Sequence, residues 1–263
     1  SDSKFEYNRL ETLEKLFSDY PSQIACVIME PVSFHEPRDG FLEKVRDLAH
    51  ANGALLIFDE IITGFRMELG GAQSHYGVLP DLACFGKAMG NGMPISAVVG
   101  QAKYMEVFDD IFFSFTFGGE LGSIAAATAT IRAMRSREAI ARIRDVGRAI
   151  KEGFTKIITS LGADEIVAII GFDFWPEYVF KDCRAFKSIE IQSLFQQELV
   201  RRGVLTRAGM FISAAHTNED VELTLAAMNE ALAVTISAVR LSKVLDWLDG
   251  DIIRPVIRPP ELS

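Results

Sequence analysis

Two short, uninterrupted apolar runs on either side of an amphipathic segment constrain the fold of this 263-residue chain more than any other feature. The runs cover residues 24–29 and 54–58. The segment 41–53 between them has apolar residues at helical spacing and ends at Asn52-Gly53, which is a typical helix stop. Runs of this kind are typical of strands buried on both faces of a parallel sheet. A strand, a helix and a second strand in this order predict a right-handed parallel crossover and therefore an α/β fold.

The later part of the chain predicts a second, smaller domain. Residues 121–148 are rich in Ala, Ile and Arg at helical spacing, which predicts a long helical connection. Short apolar runs then alternate with helical patterns, as in an α+β domain. In this part, strands are predicted at 166–172, 204–205 and 210–213. Two further strands are predicted earlier in the chain, at 82–85 and 95–99. The predicted parts of the chain are a large domain over 1–130, a connecting helical stretch over 131–154, a small C-terminal domain over 155–245 and an extended proline-rich tail over 246–263.

Composition limits the classes of partner and compartment. The chain is 49% hydrophobic, and its net charge of −9 comes with no block of Lys or Arg, so we expect no nucleic-acid partner. Cys26, Cys84 and Cys183 match no metal-ligand spacing, which predicts buried free thiols and no metal site. The first residues lack the layout of a signal peptide, and no apolar stretch approaches the length of a membrane span. A cytoplasmic protein without membrane association is the expectation.

A single lysine, Lys87, follows the strand candidate 82–85 in a segment that also contains Gly86, Gly90 and Gly92. A lysine amine in a confined pocket can form a Schiff base with a carbonyl cofactor, and glycines let the backbone approach a flat ligand. A solvated surface lysine in a flexible loop gives the same local pattern. This segment by itself leaves both interpretations open.

Asp59 comes directly after the apolar run 54–58 and is followed by Glu60. Ligand sites in α/β sheets form at the carboxyl ends of strands, where a carboxylate can keep a pyridinium nitrogen protonated. The Walker B motif of ATPases has the same form. However, the only Gly-Lys pair, Gly86-Lys87, lacks the other residues of a phosphate loop, which argues against a nucleotide hydrolase. A plain carboxylate at a helix start remains an alternative.

Thr116 and the pair Gly118-Gly119 precede an alanine-rich helical segment that begins near residue 121. Hydroxyl and backbone N–H groups at a helix start can bind phosphate. An ordinary capped helix has the same appearance in the sequence, so this motif alone does not decide between the two.

The order of these motifs resembles the class III aminotransferases, which depend on pyridoxal phosphate. The shared elements are Glu30-Pro31, LLIFDE followed by TGFR, PDLACFGKA followed by NGMP, and FTFGGE. The similarity runs from about Phe5 to Thr130 and is weaker over 201–225. It is closest to the glutamate-1-semialdehyde aminomutase branch in IMEPV, GALLIFDE, GGAQ and ISAAHT. The resemblance implies the type I aminotransferase fold, with part of the mainly parallel sheet of its large domain and a smaller α+β C-terminal domain.

The resemblance also implies roles for individual residues. Lys87 matches the Schiff-base lysine, and Asp59 matches the aspartate that pairs with the pyridine nitrogen. Thr116 matches the threonine that reaches the cofactor phosphate of the neighbouring subunit in the family's dimers, so a homodimer is expected. Glu30 and His216 are candidate substrate contacts, although a structural role fits His216 equally well.

Two positions depart from the family's pattern. Ile62 stands where many members have a glutamine that hydrogen-bonds the phenolic oxygen of the cofactor, so the ring would be tuned differently here. Gly119-Glu120-Leu121 stands where much of the family has Gly-Asn-Pro, which weakens the similarity to the aminomutase itself.

The activity implied by the resemblance is transfer of an amino group between an amine or amino acid donor and a keto or aldehyde acceptor, through a Lys87 Schiff base with pyridoxal phosphate. The alternatives are an intramolecular aminomutase and a non-catalytic fragment that acts as a dimerisation module. The family's upstream phosphate loop and ring-stacking aromatic residue have no counterpart in this sequence. We therefore expect a piece of a longer or split protein that binds the cofactor weakly by itself.

Overall fold

The computed structural model describes residues 3–32, 34–136 and 138–254. The chain divides into two compact units, Ser1–Ile140 and Ala141–Ser263. The boundary lies inside the predicted connecting stretch 131–154. Each unit has a hydrophobic core of its own.

A four-stranded sheet forms the centre of the first unit. Its strands lie side by side in chain order: β1 (Cys26–Met29), β2 (Leu55–Asp59), β3 (Leu82–Phe85) and β4 (Ala97–Gly100). The first three strands are parallel and β4 is antiparallel to β3. The prediction of a mainly parallel sheet is therefore confirmed.

The helices of the first unit cover one face of this sheet. They are α1 (Leu10–Asp19), α2 (Phe41–Ala51), α3 (Ala72–Tyr76), α4 (Ala102–Met105) and α5 (Leu121–Ser136). Helices α1 and α2 are amphipathic, and their apolar sides form one core with alternate residues of β1 and β2, because successive strand side chains point to opposite faces. This core contains Leu13, Phe17, Phe41, Leu42, Val45, Val27, Met29, Leu56 and Phe58.

The opposite face of the sheet is partly open, which corrects the prediction of strands buried on both faces. Exposed and buried residues alternate along β1, and Ile28 is 59% exposed. Cys26 lies on the same face and is exposed, so the prediction that it is a buried thiol is wrong. Cys84 and Cys183 are half-buried. The physical reason is that α1 and α2 pack against only one side of β1 and β2.

Asp81 fixes the position of β3 relative to its neighbours. Its buried carboxylate accepts a hydrogen bond from the backbone N–H of Leu56 at 2.8 Å and lies 2.8 Å from Nε2 of His50. Its other oxygen accepts a hydrogen bond from Nε2 of Gln101 at 3.0 Å. One side chain thus connects the start of β3 to β2, to α2 and to the residue after β4.

The second unit contains an antiparallel hairpin and three long helices. These are α6 (Ala139–Ser160), β5 (Val167–Phe172), β6 (Trp175–Phe180), α7 (Ser188–Arg201) and α8 (Asn218–Arg240). The core between them includes Phe154, Tyr178, Leu194, Phe195, Met228 and Leu232. This is the predicted α+β arrangement.

Several predictions for this part of the chain are wrong in detail. The long helical stretch is two helices, since α5 ends at Ser136 and α6 begins at Ala139. Neither 204–205 nor 210–213 forms a regular strand. Instead, Met210 N–H donates to the carbonyl of Pro176 at 2.9 Å, as part of a segment that runs beside β6. The strand β6 was missed because a proline and a glutamate interrupt its apolar pattern.

Helix α8 is long and apolar enough, by length and composition, to cross a membrane, which corrects the statement that no stretch approaches that length. Its buried residues, however, belong to the core of the second unit. The feature is that of a core helix and is weak evidence for a membrane span. The part of the predicted tail over 255–263 lies outside the described residues.

Candidate active site

Three polar side chains follow the three parallel strands at the same edge of the sheet. Glu30 comes directly after β1, and Asp59 is the last residue of β2. Lys87 is the second residue after the end of β3. Although Glu30 has one side open to solvent, partial desolvation and the negative charge of Asp59 raise its pKa, and the positive charge of Lys87 opposes this rise. The structure therefore brings together three of the residues that the sequence singles out.

Asp59 presents a partly free carboxylate at this edge. Its Oδ1 accepts a hydrogen bond from the backbone N–H of Ile61 at 3.0 Å, which fixes the side chain in the turn after β2. Its Oδ2 makes no hydrogen bond to any residue in the described ranges. Cys84 lies opposite Asp59 in the parallel register, and desolvation, together with this carboxylate, raises the pKa of the Cys84 thiol. Asp59 thus has one oxygen available to a ligand on the partly open face.

Lys87 has an unusual backbone conformation. It begins a short 3-10 turn, Lys87–Met89, and its φ of 39° lies in the left-handed region, which costs a non-glycine residue about 1–3 kcal/mol. The side chain is exposed, and within the described part of the chain its amine has no hydrogen bond or ion pair. Strain of this kind is concentrated at functional sites. A free amine at the edge that carries Asp59 fits a covalent cofactor site.

The neighbouring carboxylate, Glu60, has a different role, which the sequence did not indicate. Glu60 is fully buried and accepts hydrogen bonds from the hydroxyl of Thr63 and, at 2.8 Å each, from the backbone N–H groups of Ala72 and Gln73. A Cβ atom on Gly71 would lie 2.3 Å from Oε2 of Glu60. Glu60 therefore ties the loop after β2 to the start of α3. The only signal in the sequence was the adjacent pair of carboxylates.

Glycines near this edge make room for the protein's own atoms. A Cβ atom on Gly64 would lie 2.5 Å from the ring of Phe85, and one on Gly90 would lie 2.4 Å from the carbonyl oxygen of Met93. Gly90 is one of the glycines that the sequence suggested for close approach to a flat ligand, and its close neighbour is protein. A Cβ atom on Gly92, by contrast, would have no neighbour within 4 Å. Ile62 is half-buried in the turn after β2 and offers no hydrogen-bonding side-chain group.

Thr116 lies in an exposed turn before α5. Its hydroxyl makes no hydrogen bond to a described residue, and the whole segment 111–121 is exposed. The first N–H groups of α5 are already bonded: Gly122 and Ser123 donate to the carboxylate of Glu120 at 2.8 and 2.6 Å. Hydrogen bonds from Ser123 and Gly122 lower the pKa of Glu120. A carboxylate of the chain itself therefore occupies the helix start where the sequence suggested a phosphate.

Helix α5 also contacts the turn that carries Lys87. Ala127 of α5 packs in one cluster with Ala83 and Phe85 of β3 and with Met89, the last residue of the 3-10 turn. Helix α5 therefore packs against the turn that begins at Lys87.

His216 belongs to the second unit, in the turn before α8. Its Nδ1 accepts a hydrogen bond from the backbone N–H of Ser213 at 3.0 Å, and its carbonyl oxygen accepts one from Arg142 at 2.8 Å. These contacts give the residue a structural role within its own unit. Among the residues that the structure describes, no group of three or more His, Cys, Asp or Glu side chains is placed to hold a metal ion.

Comparison with known proteins identifies the family. Residues 2–207 match the model of the class-III aminotransferases, which is more than half of the chain. The chain belongs to the class-III aminotransferase family. Two relatives with similar sequence identity to this chain are named for different activities. The chain is 38% identical over 242 residues to glutamate-1-semialdehyde 2,1-aminomutase of Alkaliphilus oremlandii, and 35% identical over 239 residues to 3-aminobutyryl-CoA aminotransferase of Cloacimonas acidaminovorans.

Two solved structures have the same fold. The FumI protein of Sphingopyxis sp. MTA144, in a form that contains PLP, matches 90% of this chain with a TM-score of 0.83 and 27% identity. An omega-transaminase from Sphaerobacter thermophilus matches 88% with a TM-score of 0.80. These matches confirm the predicted type I fold. This chain spans little more than half the length of the proteins that it matches. It covers 56% of the aminomutase and 57% of the aminotransferase, and 58% and 57% of the chains in the two structures.

Proposed function

We propose that this chain carries the cofactor lysine of a pyridoxal-phosphate enzyme that transfers an amino group from an amine or amino acid donor to a keto or aldehyde acceptor. The observation that carries the proposal is the pairing of Lys87 and Asp59 at one edge of the sheet. Lys87 has a free amine on a strained backbone, and Asp59 has an oxygen without a partner among the described residues. The solved structures named above support the fold, and the 35%-identical relative named as an aminotransferase supports the reaction class.

The residues at this edge fit the cofactor in chemical type. The amine of Lys87 is the group that would bond to the aldehyde carbon, and Oδ2 of Asp59 would accept a hydrogen bond from the protonated ring nitrogen. When bound, pyridoxal phosphate supplies a ring that draws electrons away from the substrate carbon. Ile62 contributes only apolar contact, so hydrogen bonding to the phenolic oxygen is absent from this position.

In the proposed reaction, Nζ of Lys87 also moves a proton. As general base and acid, the free amine of Lys87 would take a proton from the substrate carbon and return it at the carbon of the cofactor that carried the aldehyde. Glu30 is the proposed substrate contact on the side of β1. Because desolvation and Asp59 raise its pKa, Glu30 is protonated over a wider pH range than an ordinary glutamate and can donate a hydrogen bond.

A homodimer is part of the proposal. The segment around Thr116 exposes an unusual amount of apolar surface, with Phe112 at 96%, Phe117 at 62% and Leu121 at 79%. Contiguous exposed apolar surface of this kind marks an interaction site. We propose that a second copy covers it, which would bring the hydroxyl of Thr116 to the cofactor phosphate of the partner subunit.

An intramolecular aminomutase is the second candidate. It is favoured by the 38% identity to an enzyme of that name. The departure at Glu120 weighs against it, since Glu120 bonds the helix start where many relatives have Asn-Pro. Both candidates use Lys87 and Asp59 in the same way, and they differ in whether the amino group leaves the molecule that donated it.

Reductive trapping tests the proposal. The chain is incubated with excess pyridoxal phosphate, reduced with borohydride, digested and analysed by mass spectrometry. The expected adduct is on the peptide with Lys87, and it disappears in Lys87→Arg but persists in Lys103→Arg, a matched change at another exposed lysine. Adducts spread equally over surface lysines in the chain and in any longer form of it would overturn the proposal and favour a non-catalytic dimerisation module.

A further inference from the structure

The connection between β1 and α2 is held at its start by Tyr7. The hydroxyl of Tyr7 donates a hydrogen bond to the carbonyl oxygen of Pro31 at 2.7 Å. Pro31 is buried and directly follows Glu30, the proposed substrate contact. The ring of Tyr7 packs edge-on against Phe41 at the start of α2, with ring centroids 5.0 Å apart. A side chain from the segment before α1 thus sets the position of the residue next to Glu30.

A second tyrosine holds the same connection further along. The hydroxyl of Tyr76, the last residue of α3, donates to the carboxylate of Glu36. Asn8 bonds the backbone at this point: its Nδ2 donates to the carbonyl oxygen of Glu36, and its Oδ1 accepts from the N–H of Arg38, both at 2.9 Å. The connection is therefore fixed at Pro31 and at Glu36 by residues from two other segments of the chain.

Both tyrosine hydroxyls remain donors over a wide pH range. Desolvation and the negative charge of Glu36 raise the pKa of Tyr7. Desolvation, together with the hydrogen bond to Glu36, raises the pKa of Tyr76. Because a tyrosine in water already keeps its proton up to about pH 10, neither hydroxyl loses its proton near neutral pH. The two donors are therefore unchanged while a carboxyl group nearby is titrated.

Tyr76 also links this connection to the loop that follows Asp59. The carboxylate of Glu60 accepts hydrogen bonds from the first two N–H groups of α3, at 2.8 Å each. Tyr76 ends the same five-residue helix. Glu30 and Asp59 thus stand at the ends of neighbouring strands, and the segments that follow these strands are joined to each other through α3.

We propose that Tyr7 and Tyr76 are positioning residues for the proposed reaction, because they hold the start of the β1–α2 connection so that the carboxyl group of Glu30 stays beside Asp59 and Lys87. Within the described ranges, this carboxyl group makes no hydrogen bond of its own, and the residue is exposed. Its position therefore depends on the backbone that carries it. The inference rests on the proposed substrate role of Glu30, but the geometry that it concerns can be measured without substrate or cofactor.

Titration of Glu30 in the full chain, by carbon NMR of its side-chain carboxyl group, tests this positioning. In the parent chain, desolvation and Asp59 raise the pKa of Glu30, so Asp59→Asn should lower it. In Tyr7→Phe and Tyr76→Phe the pKa of Glu30 should fall, and Asp59→Asn should then lower it by less than in the parent chain. Tyr20→Phe changes an exposed tyrosine at the end of α1 and should leave the titration unchanged.

Substitutions of Glu36 separate positioning from support of the fold. Glu36→Gln keeps an oxygen acceptor for Tyr76 and should retain the parent titration of Glu30, whereas Glu36→Leu should reproduce Tyr76→Phe. Tyrosine variants that lose stability in urea but leave the titration of Glu30 unchanged would overturn the proposal. Borohydride trapping at Lys87 tests the proposed function separately. A chain that forms no adduct but keeps the coupling between Glu30 and Asp59 would overturn that function and still support the positioning.

Discussion

Asp59 and Glu60 are neighbours in the chain, yet their carboxylates lie in opposite environments at the end of β2. Asp59 is half-buried and keeps one oxygen free of hydrogen bonds to described residues, whereas Glu60 is fully buried and bonded to Thr63, Ala72 and Gln73. One carboxylate is available for chemistry because the other holds the loop in place. The adjacent pair thus separates the proposed cofactor contact from the support of the fold.

Substitution of these two residues should separate stability from cofactor binding. Glu60→Gln leaves buried N–H donors facing an amide nitrogen and should lower the free energy of unfolding by about 1–3 kcal/mol. Asp59→Asn, the matched control, should change it by less than about 1 kcal/mol, because its only described hydrogen bond, from Ile61, can persist. Urea denaturation measures both values. Equal destabilisation by the two changes would contradict the division of roles.

The strained backbone at Lys87 predicts that a glycine variant is more stable than an alanine variant, which is the reverse of the usual order. Because φ is 39°, Lys87→Gly should be more stable than Lys87→Ala by about 1 kcal/mol, although both lose the cofactor adduct. At Lys103, in α4, the usual order should hold and alanine should be the more stable variant. Thermal and urea unfolding of the four variants test this. An alanine variant at 87 as stable as the glycine variant would mean that no strain is stored there.

Glu177 predicts a pH dependence of stability in the second unit. Burial raises its pKa from an ordinary value of 4.5 to about 7, so its contribution is fully present below about pH 4.5 and is lost as the pH rises through about 7. Glu177→Gln, which stays neutral, should therefore gain stability relative to the parent chain between pH 4.5 and 8. Urea titrations across this range measure the difference. A constant difference over the whole range would contradict a raised pKa.

The exposed segment around Thr116 predicts the oligomeric state. Phe112→Asp places a charge in the proposed interface and should shift the chain from dimer to monomer in sedimentation experiments, without loss of helical content. Leu79→Asp changes another exposed apolar residue outside the segment and should leave the dimer intact. A parent chain that is monomeric at all accessible concentrations would exclude this interface.

The sequence predicted the common position of three polar residues at one edge of the sheet better than it predicted their surroundings. Glu30, Asp59 and Lys87 follow three successive apolar runs, and parallel strands necessarily bring such residues to one edge. The role of Glu60 could not be predicted, because its partners Ala72 and Gln73 lie 12 and 13 residues later, across a loop without regular spacing. Local patterns carry no information about such contacts.

The failures in the fold have the same origin. The exposure of Cys26 depends on which face of β1 the helices α1 and α2 cover, and an apolar run does not specify this. Strand β6 forms by pairing with β5. This pairing accommodates Pro176 and the buried Glu177, two residue types that a sequence pattern for a strand does not predict.

The carboxylate of Glu120, bonded to the first N–H groups of α5, acts as a tethered competitor for any anion that approaches this helix. Because this carboxylate belongs to the same chain, an incoming anion would have to replace a contact that dilution does not weaken. The charge of helix α5 is therefore already neutralised in part by the chain itself. The proposed phosphate contact near this helix then depends on the hydroxyl of Thr116 from a second copy, rather than on the N–H groups of the helix start.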